Sequence, residues 1–405
     1  MIRLPGLAHI TGRGIWLAAL VTLTLAGGAH ASNLVFSKPD GNIWLANPDG
    51  SGLYQVTLDG SAANPYSSPT QADDGTIEAQ RGSGAGTQLD RMTQNGTLLN
   101  APFTTAAPNG PFDATIAHDA SKVSYWAITG VNSCYPFFCP GTASSVQVSY
   151  ADHYVDPSTF NPNVGGWSSF QYPAWMGNSR QLLFADNGTL WYYDLGQSQP
   201  VEWRYWSDFS NTVTQGYGSW IEGAVSPDGT RLATVSGEDN AGRYVIQIFS
   251  GTQDIRSGDL TGYTPTVSPC EIPAPDGSNG TNGSYPGQYI YFDSLSWSPD
   301  GQSLAFEYHG AIYVASFGSL TDCSQITVRQ VIASGCDPNW GLAPISPQTR
   351  PGPPPPPPPS HHRAPATVTR TGSATTATAH GSAVSIAVPV LIACPAGVRC
   401  VVRSS

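Results

Sequence analysis

Seven cysteines, eight histidines and 28 acidic residues are the side chains from which this 405-residue chain would build reactive chemistry. His118, His153 and His309 are the only histidines between Ser32 and Ile345, and none stands in a metal-ligand spacing such as His-Glu-x-x-His. No Gly-x-Ser-x-Gly elbow occurs, which removes the usual setting of a serine hydrolase. Residues 82–86 are glycine-rich, but the lysine and following helix of a phosphate loop are missing. Sialidase-type repeats carry a residue between Asp and Gly, whereas Asp228-Gly229 and Asp300-Gly301 are adjacent. These spacings predict no catalytic residue, no metal and no cofactor. Carboxylates remain: a pair about 5 to 9.5 Å apart would suit glycoside cleavage. Asp152, Asp156, Asp208, Glu222, Glu238 and Asp239 are candidates to ring one face and hold a cation or a polyhydroxyl ligand, although acidic loop residues are commonly just solvated.

The cysteines point to an oxidising compartment. Arg3 and Arg13 precede an apolar run from Ile15 to Ala26 and the small-x-small site Ala29-His30-Ala31, the pattern of a secretory signal peptide over residues 1–31. The run falls short of the ~20 apolar residues of a retained anchor, so no membrane span is expected after cleavage. In that setting thiols pair. Cys134 with Cys139 closes one small loop and Cys394 with Cys400 another; Cys270 and Cys323 occupy equivalent corners of neighbouring repeats and form a third pair. Cys336 is the odd thiol, because a strand from Ile326 to Ala333 would carry Cys323 and Cys336 beyond disulfide reach.

Charge excludes one class of partner. Residues 32–345 hold 10 Lys/Arg against all 28 Asp/Glu, a balance of −18, while residues 346–405 carry five Arg and no acid. A domain without a basic stripe has nothing to neutralise phosphates, so no nucleic-acid partner is expected. Many of the Asp belong to turns, where their side chains bond local backbone N–H groups.

The elements that must position these residues are short. From Asn33 to Trp340, runs rich in Val, Ile, Tyr, Trp and Thr are cut by Asp-Gly, Asn-Gly and Pro, with no sustained helical period. A unit recurs: Ser296-Trp297-Ser298-Pro299-Asp300-Gly301 followed by Gly310-Ala311-Ile312-Tyr313-Val314, an earlier Ala224-Val225-Ser226-Pro227-Asp228-Gly229, and second halves at Asp40-Gly41-Asn42-Ile43-Trp44 and Asn187-Gly188-Thr189-Leu190-Trp191. Pro presets φ of the first turn position, Asp bonds the backbone, and Gly accepts positive φ. Trp175, Trp297 and Trp340 precede the turns and should fill the space between neighbouring sheets. Such a period signals an all-β, six-bladed β-propeller. Six blades over residues 32–345 take about 52 residues each, above the ~40 to 45 of a WD-type blade because of insertions. Cys336 to Gly341 reads as the first strand of a repeat whose second strand opens the domain, closing the ring and removing sheet edges.

These units resemble the TolB-type, WD-like propeller repeats of exported bacterial proteins, on two good copies of Ser-Pro-Asp-Gly and degenerate ones in blades two to four. The resemblance implies fold more than function. TolB itself carries an α/β domain ahead of its propeller, whereas Ser32 leads directly into a strand, so that protein's partners are not carried over. The expected organisation is a signal peptide (1–31), a propeller (32–345), a Pro-rich linker (346–365) with an unbroken Pro353 to Pro359 run, and a short β-rich tail (366–405) that faintly resembles part of an Ig-like module.

A binding face is expected where insertions collect. The segments Val131 to Ser145, Asp152 to Gln171, Ser207 to Trp220 and Pro273 to Gln288 read as B–C or D–A connections on one rim, opposite the short Ser-Pro-Asp-Gly turns. Tyr135, Phe138, Trp167, Trp203, Trp206 and Trp220, with Asp152 and Asp208, are the binding residues expected there. The reading is a secreted, monomeric, non-catalytic scaffold, in the periplasm or at the cell surface, that binds an envelope protein or glycan. The alternative is a carbohydrate-active hydrolase or lyase using carboxylates at the propeller channel.

Overall fold

In the computed structural model the described residues are 32–347, apart from 108, 129–143, 161–163, 166–172, 178, 187–188, 199, 206–219, 237–243, 251–253, 255–269, 279–291 and 319–322. The expected leader, linker and tail therefore lie outside the described residues. The strands are β1 (Asn33–Ser37), β2 (Ile43–Ala46) and β3 (Tyr54–Gln55); then β4 (Tyr66–Gln71), β5 (Ile77–Arg81), β6 (Gln88–Met92) and β7 (Phe103–Thr104). Next come β8 (Pro111–Ile116), β9 (Lys122–Ile128), β10 (Ser144–Tyr150) and β11 (Val164–Gly165), followed by β12 (Ala174–Trp175), β13 (Gln181–Asp186), β14 (Thr189–Asp194) and β15 (Val201–Tyr205). The last are β16 (Trp220–Val225), β17 (Arg231–Ser236), β18 (Val245–Ser250), β19 (Cys270–Ile272), β20 (Phe292–Trp297), β21 (Ser303–Tyr308), β22 (Ala311–Phe317), β23 (Ile326–Ile332) and β24 (Cys336–Gly341).

They form six four-stranded antiparallel sheets, five of them consecutive in sequence and the sixth ordered β24-β1-β2-β3. The protein is a six-bladed β-propeller, closed as its termini-completing repeats require. The closing ladder pairs Leu34 with Trp340 and Val35 with Asn339. Trp340 Nε1 donates to Ser32 Oγ at 3.1 Å, and Asn33 Nδ2 donates to Gln71 Oε1 at 2.9 Å and to Ala343 O at 2.6 Å, so the first strand is bonded to the last blade segment and to the second blade at once. A β-carbon on Gly341 would lie 1.7 Å from Gln71 Oε1, which explains a glycine at that junction.

The core lies between blades. Along β1, Val35 packs with Ile77, Ala79 and Met92 of the second blade, while Leu34 and Phe36 pack with Ala305, Ile312 and Val314 of the sixth. Both faces of each sheet are thus buried by a neighbour, which is why the strands read as apolar runs instead of a simple alternation. The Ser-Pro-Asp-Gly segments are the turns between first and second strands. Ser298 Oγ donates to Asp300 Oδ1 (2.6 Å) and accepts from Ser303 N (2.8 Å), Asp300 Oδ1 accepts from Gln302 N (3.0 Å), and Gly301 adopts φ +64°. The degenerate copy in the third blade keeps the bond from Ser121 N to Asp119 Oδ1 (2.9 Å) but places Ala120 at φ +59°, where glycine would be unstrained.

The indole assignment holds. Trp175 and Trp297 are buried, and each donates Nε1 to a carbonyl of the preceding blade, Thr115 O at 2.9 Å and Ala224 O at 3.0 Å. The Cys270–Cys323 disulfide forms, with Cα atoms 5.3 Å apart at the outer strands of the fifth and sixth blades, and Cys336 is a free thiol. The other two expected pairs, Cys134–Cys139 and Cys394–Cys400, lie outside the described residues.

Two outcomes test this architecture. A chain ending at Gly335, which lacks β24 and uncovers Leu34 and Phe36, should show no cooperative thermal transition by circular dichroism. Replacing Cys270 and Cys323 together by alanine should cost about 2–4 kcal/mol in denaturant unfolding, the range for a disulfide closing a loop of this length; an unchanged midpoint would show that the bridge adds nothing.

Candidate functional site

The first strand of each blade faces the propeller axis, and these six strands enclose a channel cavity of about 340 Å³. Aligned on the residue before the turn (Gln71, Ile116, Trp175, Val225, Trp297, Trp340), the position three residues earlier is Ser68, Asp113, Glu222, Ser294 and Asp337 in the five blades where it is described, and all five line the cavity. Four of the five have left-handed backbones: Ser68 φ 44°, Asp113 φ 51°, Ser294 φ 56° and Asp337 φ 52°. Pairing with the second strand slips at the same place, between Ser67 and Thr70, Phe112 and Thr115, Trp220 and Glu222, and Asp293 and Ser296. A repeated β-bulge therefore turns one residue per blade toward the axis and frees backbone N–H groups there.

Side chains of the adjacent blade answer those donors. Asp337 Oδ2 accepts from Ser68 N at 2.9 Å, Gln80 Oε1 from Ala114 N at 3.2 Å, and Glu222 Oε1 from Leu295 N at 2.6 Å. One layer nearer the turns, Asn339 Oδ1 accepts from Gln71 N, Thr70 Oγ1 from Ile116 N, and Ser296 Oγ from Trp340 N, at 2.9, 2.9 and 2.8 Å. Below the ring, Glu307 Oε2 accepts from Asp337 N at 3.0 Å, in the strand paired with Asp293.

The electrostatics follow from crowding acids in an enclosed space. Burial, then the nearby Asp293 and Asp337 charges, holds the Asp113 carboxyl well above the usual carboxylate range. Glu222 is raised well above its ordinary value by burial and by Asp293 and Asp113, against the bond from Leu295. Glu307 is pushed up to about 8 by burial and by Asp337 and Asp293, and burial also raises Asp337 and the Cys336 thiol. No lysine or arginine is among the described residues lining the cavity. His118, at the rim, is hydrogen-bonded through Nδ1 to Asp73 Oδ1 at 3.0 Å. Among the described residues no three His, Cys, Asp or Glu side chains converge as metal ligands.

Of the acids singled out from sequence, Glu222 is the one brought into this channel. Asp152 is exposed and bonded to His153 (2.6 Å); it follows β10, so it leaves on the C–D connection, the rim that carries the A–B turns, and not on the long-loop rim where it was expected. Trp203 and Trp220 belong to strands β15 and β16 and not to loops, Trp220 opening an inner strand. Tyr135, Phe138, Trp167, Trp206 and Asp208 lie outside the described residues. Asp113, Asp293, Glu307 and Asp337 were missed, although a signal exists: Ser68, Asp113, Glu222 and Ser294 each stand six residues before the Asp of the following turn.

No family model matches the chain, and no curated protein matches it. Solved structures similar to it include TolB from Acinetobacter baumannii (16% identity, 78% of this chain and 68% of that one, TM-score 0.48) and a protein assigned as TolB from Agrobacterium tumefaciens (12%, 75% and 89%, TM-score 0.43). A puromycin-hydrolyzing peptidase from Mycobacterium tuberculosis matches at 13% identity over 74% of this chain and 43% of its own, TM-score 0.41. The propeller assignment rests on the strand order and not on these likenesses.

The raised carboxylates set a pH dependence opposite to ordinary acid denaturation. A carboxyl whose folded value lies above its unfolded one favours the fold while protonated, and that advantage is lost as pH rises from about 4.5 through about 8 for Glu307. Tm should therefore fall between pH 5 and pH 8. Glu307→Gln, which keeps an oxygen for Asp337 N, should raise Tm at pH 8 by at least about 2 °C and flatten the profile. A mutant that lowers Tm at pH 8 would refute the assignment.

Proposed function

We propose that the protein is an exported propeller that binds, without transforming, a protein or glycan of the cell envelope, and that the ligand seats in the channel from the rim of the A–B turns. One observation carries the reading: a cavity of about 340 Å³ lined by the same repeat position of successive blades, with polar groups at its floor and the exposed Leu342, Asp73 and His118 at its mouth. Pockets of this size with few convergent polar groups are characteristic ligand sites. Export is supported by the leader composition and by the Cys270–Cys323 bridge. No helix among the described residues is long and apolar enough to cross a membrane. Binding is favoured over hydrolysis because, among the described lining residues, no hydroxyl is hydrogen-bonded to a histidine as a nucleophile would be.

A second reading has a specific observation behind it. Glu222 is a buried carboxyl held well above its ordinary value, the state a general acid for glycoside cleavage requires.

Cosedimentation of the purified protein with cell-envelope fractions tests the proposal. Asp73→Arg with Leu342→Arg, both at the mouth, should weaken binding at least about tenfold without lowering Tm. Unchanged binding, or binding lost only when residues 346–405 are deleted, would overturn it. Turnover on a polysaccharide panel that disappears in Glu222→Gln would replace it with the enzymatic reading.

A further inference from the structure

Glu222 carries a polar atom that the fold leaves unused. The residue is 4% exposed; its Oε1 accepts from Leu295 N, while Oε2 is buried without a hydrogen-bond partner and belongs to a side chain lining the channel cavity. Ser294 Oγ, on the same ring, is likewise buried and unpartnered. A buried acceptor of this kind costs free energy unless something supplies a donor. Asp113, half-buried and open to the cavity, stands on the ring beside it, and Asp337 completes the acidic side while spending Oδ2 on Ser68 N and Ser37 Oγ.

We propose that the channel receives the guanidinium group of a ligand, with Glu222 Oε2 accepting from one N–H and Asp113 and Ser294 Oγ completing the seat. This deepens the channel-binding reading and rests on it. Three observations select the chemistry. The acceptors are spread over three blades, which suits a planar cation presenting five N–H donors in a fixed fork. A metal ion requires ligands that converge, and among the described residues no three do. The described lining holds no lysine or arginine to compete, in a domain with ten basic against 28 acidic residues. An incoming cation also displaces the protons that crowding places on these carboxyls. Glu222 faces Asp113 on β8 and Asp293 on β20, with Asp337 on β24 and Glu307 on β21 beyond them, and no basic side chain opposes it among the described residues. Binding should therefore tighten as pH rises and release protons as it occurs.

The probe is N-acetyl-arginine amide, with N-acetyl-citrulline amide as the uncharged counterpart and calcium chloride as the metal, each titrated calorimetrically into the full-length protein. The arginine probe should bind at least about tenfold tighter than the citrulline one, and at least about tenfold tighter at pH 8 than at pH 6. Glu222→Gln, which keeps an oxygen for Leu295 N, should lose at least about tenfold in affinity while unfolding at the wild-type temperature or above. Ser294→Ala, a smaller change, should weaken the same probe if Glu222→Gln fails to fold. Equal binding of the citrulline probe, full affinity in either variant, or calcium binding with the arginine probe silent would overturn the assignment. If the arginine probe fails while Asp73→Arg with Leu342→Arg still loses envelope binding, the guanidinium assignment alone falls. If both fail, the channel is not the ligand site.

Discussion

In a closed ring of radial sheets the innermost strands cannot pair with one another, and that geometric fact governs the molecule. Each inner strand is laddered on one side only, so its remaining N–H groups face the channel or the adjacent blade. Here they are answered by side chains of the preceding blade: Asn339 to Gln71, Thr70 to Ile116, Ser296 to Trp340, Glu222 to Leu295. The same seams carry the indole bonds of Trp175 and Trp297. Apolar contacts hold neighbouring sheets together, but these directional bonds fix the register of blade against blade, because a slip of one residue would leave every one of them unmade.

The bulge at the ring position has two effects. It forces Ser68, Asp113, Ser294 and Asp337 into left-handed backbone, a conformation that costs non-glycine residues free energy and persists where the surroundings impose it. It also collects acids where they repel each other and lose solvation. A sequence selected for stability alone would place small neutral residues there, as Ser68 and Ser294 already do in two blades. The retention of Asp113, Glu222 and Asp337 at the equivalent places is the pattern of a site that trades folding free energy for recognition.

Much of the fold was legible because turn chemistry is local. Ser-Pro-Asp-Gly dictates its own hairpin through the Ser, Asp and Gly roles, and two good copies sufficed to number the blades and to place the Cys270–Cys323 corners and the Trp297 packing position. The channel was less legible for a physical reason. Alternation along a strand tells which residues share a face, but the bulge inserts a residue and breaks that count just at Asp113 and Ser294, so the inward-facing member cannot be found by parity. Only the fixed offset from the turn reveals it. Trp203 and Trp220 were read as loop residues because aromatics near long insertions look like loop anchors, whereas β-propensity places them in β15 and β16. Asp152 was put on the wrong rim because the segment after it was taken as a single connection, when β11 divides it into two.

The closing ladder has a consequence for the history of every molecule. Ser32 and Trp340, joined by a hydrogen bond, are 308 residues apart in sequence. A nascent chain emerging N-terminus first presents Asn33–Ser37 as a raw edge, its Leu34 and Phe36 uncovered, until almost the entire domain has been made. The contact order of that last step is about as high as the fold allows, which makes ring closure the slow event of folding and the interval before it the period of greatest exposure to misassembly with other copies.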